Sequence, residues 1–242
     1  MNIVEKLFTP FVSKTKKIRL GLNENNSGLF KYDGGYVGIE EPISSVKKLI
    51  SFGVGGNIDF ETHIEDNYNI SIDMFDGEPD YQIFPEFKNI PEGSVVKFSD
   101  KINYHKYHIT KDNINSTLPQ DNFILKMDIE GAEWDVLRSI TDSNMKKIKM
   151  LQLEFHLYNQ KTIYDIVDVL VKLKHTHTLI HIHGNNHVGM LGSNQSLPAV
   201  LECCYVLNEY ATNEIDMSEY PILNLDYPND LSKSELPHTW WK

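Results

Sequence analysis

The order of its apolar segments predicts that this 242-residue chain is an α/β protein with a mostly parallel sheet, one antiparallel edge strand and helices on both faces. Three observations carry that reading. Short apolar runs alternate with segments whose apolar residues recur at helical spacing, the pattern of strands joined by crossover helices. A glycine-rich turn follows the first of these runs. The last two runs have no convincing helix between them, so they pair antiparallel at the side of the sheet.

The chain opens on an irregular stretch and reaches a first strand at 49–52, a turn at 53–57 and a short helix over 59–65. A second strand covers 70–75 and ends at Asp76-Gly77; a third is expected at 95–98, beyond a long irregular insertion over 76–91. The fourth strand, 123–127, stops at Asp128. The helix beginning near Gly131 then places Ala132, Val136, Leu137 and Ile140 on one buried face. A fifth strand follows at 150–156. Residues 162–174 carry Ile163, Ile166, Val167, Leu170 and Val171, the strongest helical stripe in the chain, and strands at 178–183 and 201–207 bring the number to seven. No repeat or linker divides the sequence. One domain is therefore expected, with a cap segment over 1–45, a core over 46–210 and a tail over 211–242.

With 34 acidic against 23 basic residues and a net charge of -11, a general electrostatic hold on nucleic-acid phosphates is disfavoured; a small or neutral partner suits the chain better. The basic cluster Lys14, Lys16, Lys17 and Arg19 reads as a solvated helix face or as a site for an anionic group. Cys203 and Cys204 are neighbours within an apolar run. Adjacent cysteines rarely bridge, so buried thiols in a reducing cytoplasm are expected. No run is long enough to span a bilayer, and Glu5 falls where a secretory leader needs apolar residues.

In sheets of this type the ligand lies beyond the carboxyl ends of the strands. The first such loop contains Gly53, Gly55, Gly56 and Asn57; the dinucleotide spacing would need glycine where Ile58 stands, so a pyrophosphate on the following helix is poorly supported. Asp76 ends the second strand at the offset where a carboxylate accepts hydrogen bonds from ribose hydroxyls. The alternatives are an ordinary tight turn and a helix cap.

The segment Leu125-Lys126-Met127-Asp128-Ile129-Glu130-Gly131-Ala132-Glu133-Trp134 concentrates carboxylates at a strand terminus, which is costly unless they bind something. It resembles the hallmark motif of the FkbM-like sugar and small-molecule methyltransferases. The glycine loop ending in Phe60-Glu61, the segment Tyr32-Asp33-Gly34-Gly35-Tyr36-Val37 and the strand Leu151-Gln152-Leu153-Glu154-Phe155-His156 resemble theirs too, so the likeness covers roughly residues 19–207. It implies a Rossmann-like class I methyltransferase fold with a seven-stranded sheet, and S-adenosylmethionine as methyl donor. By the same resemblance Gly53, Gly55, Asn57 and Glu61 surround the methionyl part, Asp76 the ribose, and Ser99 or Asp100 the adenine edge, while Asp33 and Tyr36 close over the cofactor. Phe52 stands where many such enzymes carry an acidic residue; Asp128 is then the substitute for meeting the cofactor's amino group.

Methyl transfer to a hydroxyl needs an aligned acceptor oxygen and a route for its proton. Glu154 and His156 share a strand face and Asp128 ends a neighbouring strand, an oxygen- and nitrogen-rich set of the kind that holds a metal. The resemblance to metal-dependent O-methyltransferases of this fold, whose ligands follow the fourth and fifth strands, implies Asp128 and Glu154 as ligands for magnesium or manganese. The alternatives are His156 as a base without metal, or Asp128 as a helix cap with Glu154 and His156 bound to backbone. His181, His183 and Asn185 form a further group, in which His183 and Asn185 are expected to contact the acceptor; the spacing does not suit a closed zinc site. Trp134 and the terminal Trp240-Trp241 offer ring-stacking faces, but core packing or a homodimer contact is the plainer reading. His105, His108, His175 and His177 have no partner visible in the sequence, and surface or loop placement is expected for them. The expected activity is O-methylation of a nucleotide-linked or glycan sugar. A phenolic or polyketide-like acceptor, a non-catalytic cofactor-binding module and a nicotinamide enzyme on the same sheet remain as rivals.

Overall fold

The computed structural model describes residues 3–21, 36–159, 162–191 and 197–236. Its N-terminal part comprises α1 (Ile3–Leu7), β1 (Phe11–Ser13), β2 (Lys17–Arg19), β3 (Val37–Ile39) and α2 (Glu40–Ser44). Then follow β4 (Lys48–Phe52), α3 (Asp59–Asn67), β5 (Ser71–Phe75), β6 (Val95–Lys97), β7 (Ile102–His105), α4 (Ile114–Thr117) and β8 (Phe123–Met127). The remainder is α5 (Glu133–Ser139), α6 (Asp142–Met145), β9 (Ile148–His156), α7 (Ile163–Lys174), β10 (His177–Gly184), β11 (Val200–Leu207) and β12 (Ala211–Ile215).

The main sheet has eight strands in the order β10-β11-β9-β8-β4-β5-β7-β6. Strands β7, β5, β4, β8 and β9 are mutually parallel, and the strand order reverses around β4 and β8, where α/β sheets open a crevice for ligands. This is the Rossmann-like arrangement expected from the sequence, with differences at both sides. Strand β11 is antiparallel to both neighbours and lies one place in from the edge, inserted between β9 and β10. At the other side, residues 95–97 form the outer strand β6, antiparallel to β7, and the third parallel strand is β7. The apolar look of Val95-Val96 misleads here: Val95 is exposed on the edge, whereas Ile102 and Tyr104 of the more polar β7 are buried.

Both faces of the sheet are covered, which explains why its central strands read as continuous apolar runs. Ile50, Phe52, Leu125, Met127, Leu153 and Phe155 face α5 and α7, where Val136, Leu137, Ile166 and Leu170 complete one core. Leu49, Ile72, Met74, Ile124 and Met150 face the other way, against Ile43 of α2 and Phe60 and Ile64 of α3. Helix α7 starts where Thr162 Oγ1 accepts from the Asp165 amide at 3.3 Å, a side-chain cap.

The basic cluster is not a helix face. Lys17 and Arg19 lie on β2; Lys17 Nζ meets Asp216 at 2.5 Å and donates to the Tyr220 hydroxyl at 2.9 Å, and the Arg19 guanidinium sits 3.8 Å from the Tyr227 ring centroid. Together with the pairing of β1 to β12, these contacts bind the start of the chain to residues beyond the sheet. Cys203 and Cys204 are free, buried thiols, and burial pushes Cys204 up to about 12. No helix among the described residues is long and apolar enough to cross a membrane.

Candidate active site

The carboxyl ends of β4, β5, β7, β8 and β9 surround a cavity of about 740 Å³, walled by Gly53–Asn57, Asp76, Tyr107, His108, Asp128 and Glu154 among others. Backbone bonds fasten the strand ends to one another: the Gly53 amide donates to Phe75 O at 3.0 Å, and the Asp128 amide to Phe52 O at 2.9 Å. Gly53 has φ +76° and a Cβ there would lie 1.5 Å from Asp128 O, so this position requires glycine on two counts. Asp76 Oδ2 accepts from the amides of Val54 and Gly55, each at 2.9 Å, and Oδ1 from Glu78 at 2.8 Å. Its carboxylate thereby shapes the glycine loop, while Oδ1 retains a lone pair for a ligand diol. Asn57 Oδ1 accepts from the Asp59 amide at 2.8 Å and turns the chain into α3.

The acidic motif is built around Glu133. This fully buried carboxylate accepts through Oε1 from the amides of Ile129 (2.8 Å) and Gly131 (3.2 Å) and from His156 Nδ1 (3.1 Å). The two amide bonds stabilise a turn in which Glu130 sits at φ 55°, a left-handed conformation that non-glycine residues rarely adopt. Since a carboxylate only accepts, His156 carries its proton on Nδ1 and presents Nε2 to Glu130 Oε2 at 3.3 Å, Asp128 Oδ1 at 3.9 Å and Glu154 Oε1 at 4.0 Å. Burial works against a charge on His156, but the hydrogen bond and charge of Glu133, with Asp128 and Glu130 beyond, hold its pKa above the usual value. Burial likewise pushes Asp128 up to about 7, reinforced by Glu133 and Glu130 and opposed by His156 and Lys126.

Several expected site residues lie elsewhere. Ser99 and Asp100 sit in the turn between β6 and β7, at the opposite end of β7 from the cavity: Ser99 bonds Glu65, and the exposed Asp100 pairs with Lys97 at 2.8 Å. Their misplacement follows from taking β6 for the third parallel strand; the loop after β7 supplies Tyr107, His108 and Ile109 instead. Phe52 is fully buried, edge-to-face on Phe75 with centroids 5.5 Å apart, and belongs to the core. Glu61 is also buried, bonded to Ser51 and 3.3 Å from Lys126 Nζ, and Tyr36 packs on Phe60 above that pair; none of the three walls the cavity. Asp33 and Trp240-Trp241 lie outside the described residues. Trp134 is buried against Phe155, centroids 4.5 Å apart.

His183, expected to contact the acceptor, does not wall the cavity and is not available as a base. It is buried, with Nδ1 donating to Glu202 at 2.8 Å and Nε2 to Glu235 at 3.1 Å. Burial opposes its charge, yet these two bonds carry its pKa up to about 10, so it stays an imidazolium. Asn185 does reach the cavity wall, where its Nδ2 donates to Glu154 Oε1 at 3.1 Å. His177, expected at the surface, is buried and bonded to Ile148 O at 2.8 Å.

Three donors fit a cation: Asp128, Glu130 and His156 each offer one ligand atom within 4.8 Å of the others. Glu154, expected in this set, is not one of the three; Glu130 takes its place. The sequence motif contains Glu130, but its participation depends on the left-handed turn, which no spacing rule reveals.

Residues 21–178 match the Methyltransferase FkbM domain. The chain belongs to that family. It is therefore a methyltransferase, and the glycine loop, Asp76 and the Glu133-centred motif all lie within the matched residues. No curated protein matches this FkbM-family sequence. Among solved structures, a methyltransferase from Thermoplasma acidophilum is similar at 8% identity and TM-score 0.36, over 66% of this chain and 67% of its own. A Methanococcus jannaschii fibrillarin pre-rRNA processing protein is similar at 12% identity and TM-score 0.42, over 82% and 84%. A precorrin-6y C5,15-methyltransferase from Geobacter metallireducens is similar at 11% identity and TM-score 0.38, over 68% and 82%.

Proposed function

We propose that the protein transfers a methyl group from S-adenosylmethionine to a hydroxyl of a sugar, nucleotide-linked or within a glycan. The observation that carries this reading is that one cavity is lined both by the glycine loop with Asp76 and by the Asp128 cluster. Its volume suits a nucleoside-sized ligand with a second group beside it. Gly53, Gly55 and Asn57 would hold the methionyl end, Asp76 the ribose diol, and Tyr107 to Ile109 the adenine edge. S-adenosylmethionine supplies an electrophilic methyl group and leaves as a neutral thioether.

Asp128 takes the proton from the acceptor hydroxyl. A carboxylate with a pKa near 7 is matched to that role at neutral pH, whereas His156, with its pKa raised, holds its proton and steadies Asp128. Asp128 Oδ1 is buried and accepts no hydrogen bond, which favours a second arrangement in which a divalent cation displaces the proton from His156 Nε2 and would be held by Asp128, Glu130 and that nitrogen, with Glu133 fixing the imidazole from behind. Magnesium or manganese there would lower the pKa of the acceptor hydroxyl.

The test is release of S-adenosylhomocysteine over a panel of sugar nucleotides, with and without chelator. Asp128→Asn is expected to lower kcat by about 100-fold or more while S-adenosylmethionine binding measured by calorimetry stays within about threefold. Undiminished kcat in that variant, or binding of NAD in place of S-adenosylmethionine, would overturn the reading. Full activity in chelator would remove the cation and leave Asp128 as the base.

A further inference from the structure

Asn229, carried on the segment that follows β12, reaches the cavity wall alongside Asn185 and His187. The two asparagines are each held by a glutamate from an adjoining strand. Asn185 donates to Glu154 of β9, and Asn229 Nδ2 donates to Glu202 Oε1 of β11 at 2.6 Å; these two glutamates are directly opposite one another in the sheet register. The asparagines differ in what is left over. Asn185 Oδ1 accepts from the His187 amide at 2.9 Å, whereas Asn229 Oδ1 is buried and accepts nothing. A buried amide oxygen without a donor is costly unless a ligand supplies one.

Behind Asn229 the contacts continue in line. Glu202 Oε2 accepts from His183 Nδ1 at 2.8 Å, and His183 Nε2 donates to Glu235 at 3.1 Å. Glu235 lies six residues beyond Asn229 on the same C-terminal segment, so that segment is fastened to the His183–Glu202 pair at both Asn229 and Glu235. All of these residues lie past residue 178, where the family match ends.

Resting on the hydroxyl-acceptor reading above, we propose that Asn229 is the specificity-determining residue of the acceptor site, accepting a hydrogen bond from a hydroxyl of a polyhydroxylated acceptor, with Glu202, His183 and Glu235 as the residues that position it. The donor on the acceptor is a hydroxyl other than the one methylated, so the contact favours substrates with neighbouring hydroxyls over those bearing a lone phenol. The methyl-donor side of the cavity takes no part in it.

The experiment is steady-state kinetics on the full chain with the best acceptor of the sugar-nucleotide panel, for the unaltered protein, Asn229→Ala, Asn229→Ser, Glu235→Gln and the Asn229→Ala/Glu235→Gln double variant. Asn229→Ala should raise the acceptor KM about tenfold, with kcat changed less than twofold and the dissociation constant for S-adenosylmethionine unchanged. Asn229→Ser, the milder packing change, should move KM in the same direction. Glu235→Gln alone should raise KM about threefold, and in the Asn229→Ala background that effect should vanish, because a positioning residue has nothing left to position. Unchanged KM in both Asn229 variants, or a Glu235→Gln effect that persists in the double variant, overturns the proposal alone. No turnover of any hydroxyl acceptor by the unaltered protein refutes the parent reading and this proposal with it.

Discussion

Glu235→Gln also offers a measurement of what His183 contributes to stability. His183 is buried between two carboxylates and its pKa is carried up to about 10 from an ordinary value of 6.5. A group whose folded-state pKa is raised contributes stability that is complete below the unfolded value, here about pH 6.5, and is lost as pH climbs through about 10. The whole shift corresponds to an upper bound of about 5 kcal/mol at about 1.4 kcal/mol per unit. Glu202 is the nearer partner, at 2.8 Å against 3.1 Å, and Glu235 is a quarter exposed, so its share is the smaller one. Removing that charge should lower the His183 pKa by about one unit, or ~1.4 kcal/mol. Urea denaturation of both proteins at pH 6, 8 and 10.5 measures this: the variant should be less stable by about 1.4 kcal/mol at the two lower values and nearly equal to the unaltered protein at the highest. A deficit of the same size at all three values would show that Glu235 acts through packing alone and refute the reasoning.

Three further outcomes are expected. Gly53→Ala should destabilise the protein by at least about 2 kcal/mol and weaken S-adenosylmethionine binding more than tenfold, since its methyl collides with Asp128 O at a φ of +76°; calorimetry and thermal melting report both. Glu133→Gln should lower the His156 pKa, followed by the imidazole proton resonances across a pH titration, and reduce kcat by about 10- to 100-fold. Phe155→Ala, emptying a site between Trp134, Phe8 and Tyr205, should cost about 3–5 kcal/mol in urea with little effect on KM in the protein that remains folded.

Much of the sheet was legible because its central strands are buried on both faces and so carry unbroken apolar runs; β4, β8, β9 and β11 fall where those runs fall. Strand β7 escaped notice because Asn103 and His105 alternate with its buried residues, while the more apolar Val95-Val96 belongs to the edge strand, where Val95 is exposed and Val96 half-buried. That single exchange put the expected adenine contacts at Ser99 and Asp100, away from the cavity, whose wall after β7 is formed by Tyr107, His108 and Ile109. Within the Asp128 cluster, Asp128, Glu154 and His156 could be grouped from strand ends and same-face spacing. Glu130 and Asn229 could not: the first depends on a backbone angle, the second on a segment far along the chain folding back over β11. His183 drew attention as a strand-terminal histidine, but its two carboxylate neighbours come from β11 and the C-terminal segment, and only the fold shows that they lock its proton in place.

Strand β11 fills the gap between β9 and β10, so the sheet is closed by the last of its strands to be synthesised. A ribosome-bound chain that has reached only β10 has the long apolar β9 with one open edge, and β10 has nothing to join. Such an edge is a template for pairing with another chain. Interrupted translation or a premature stop between residues 185 and 200 should therefore yield an aggregation-prone fragment, even though every residue matched to the family would already be present.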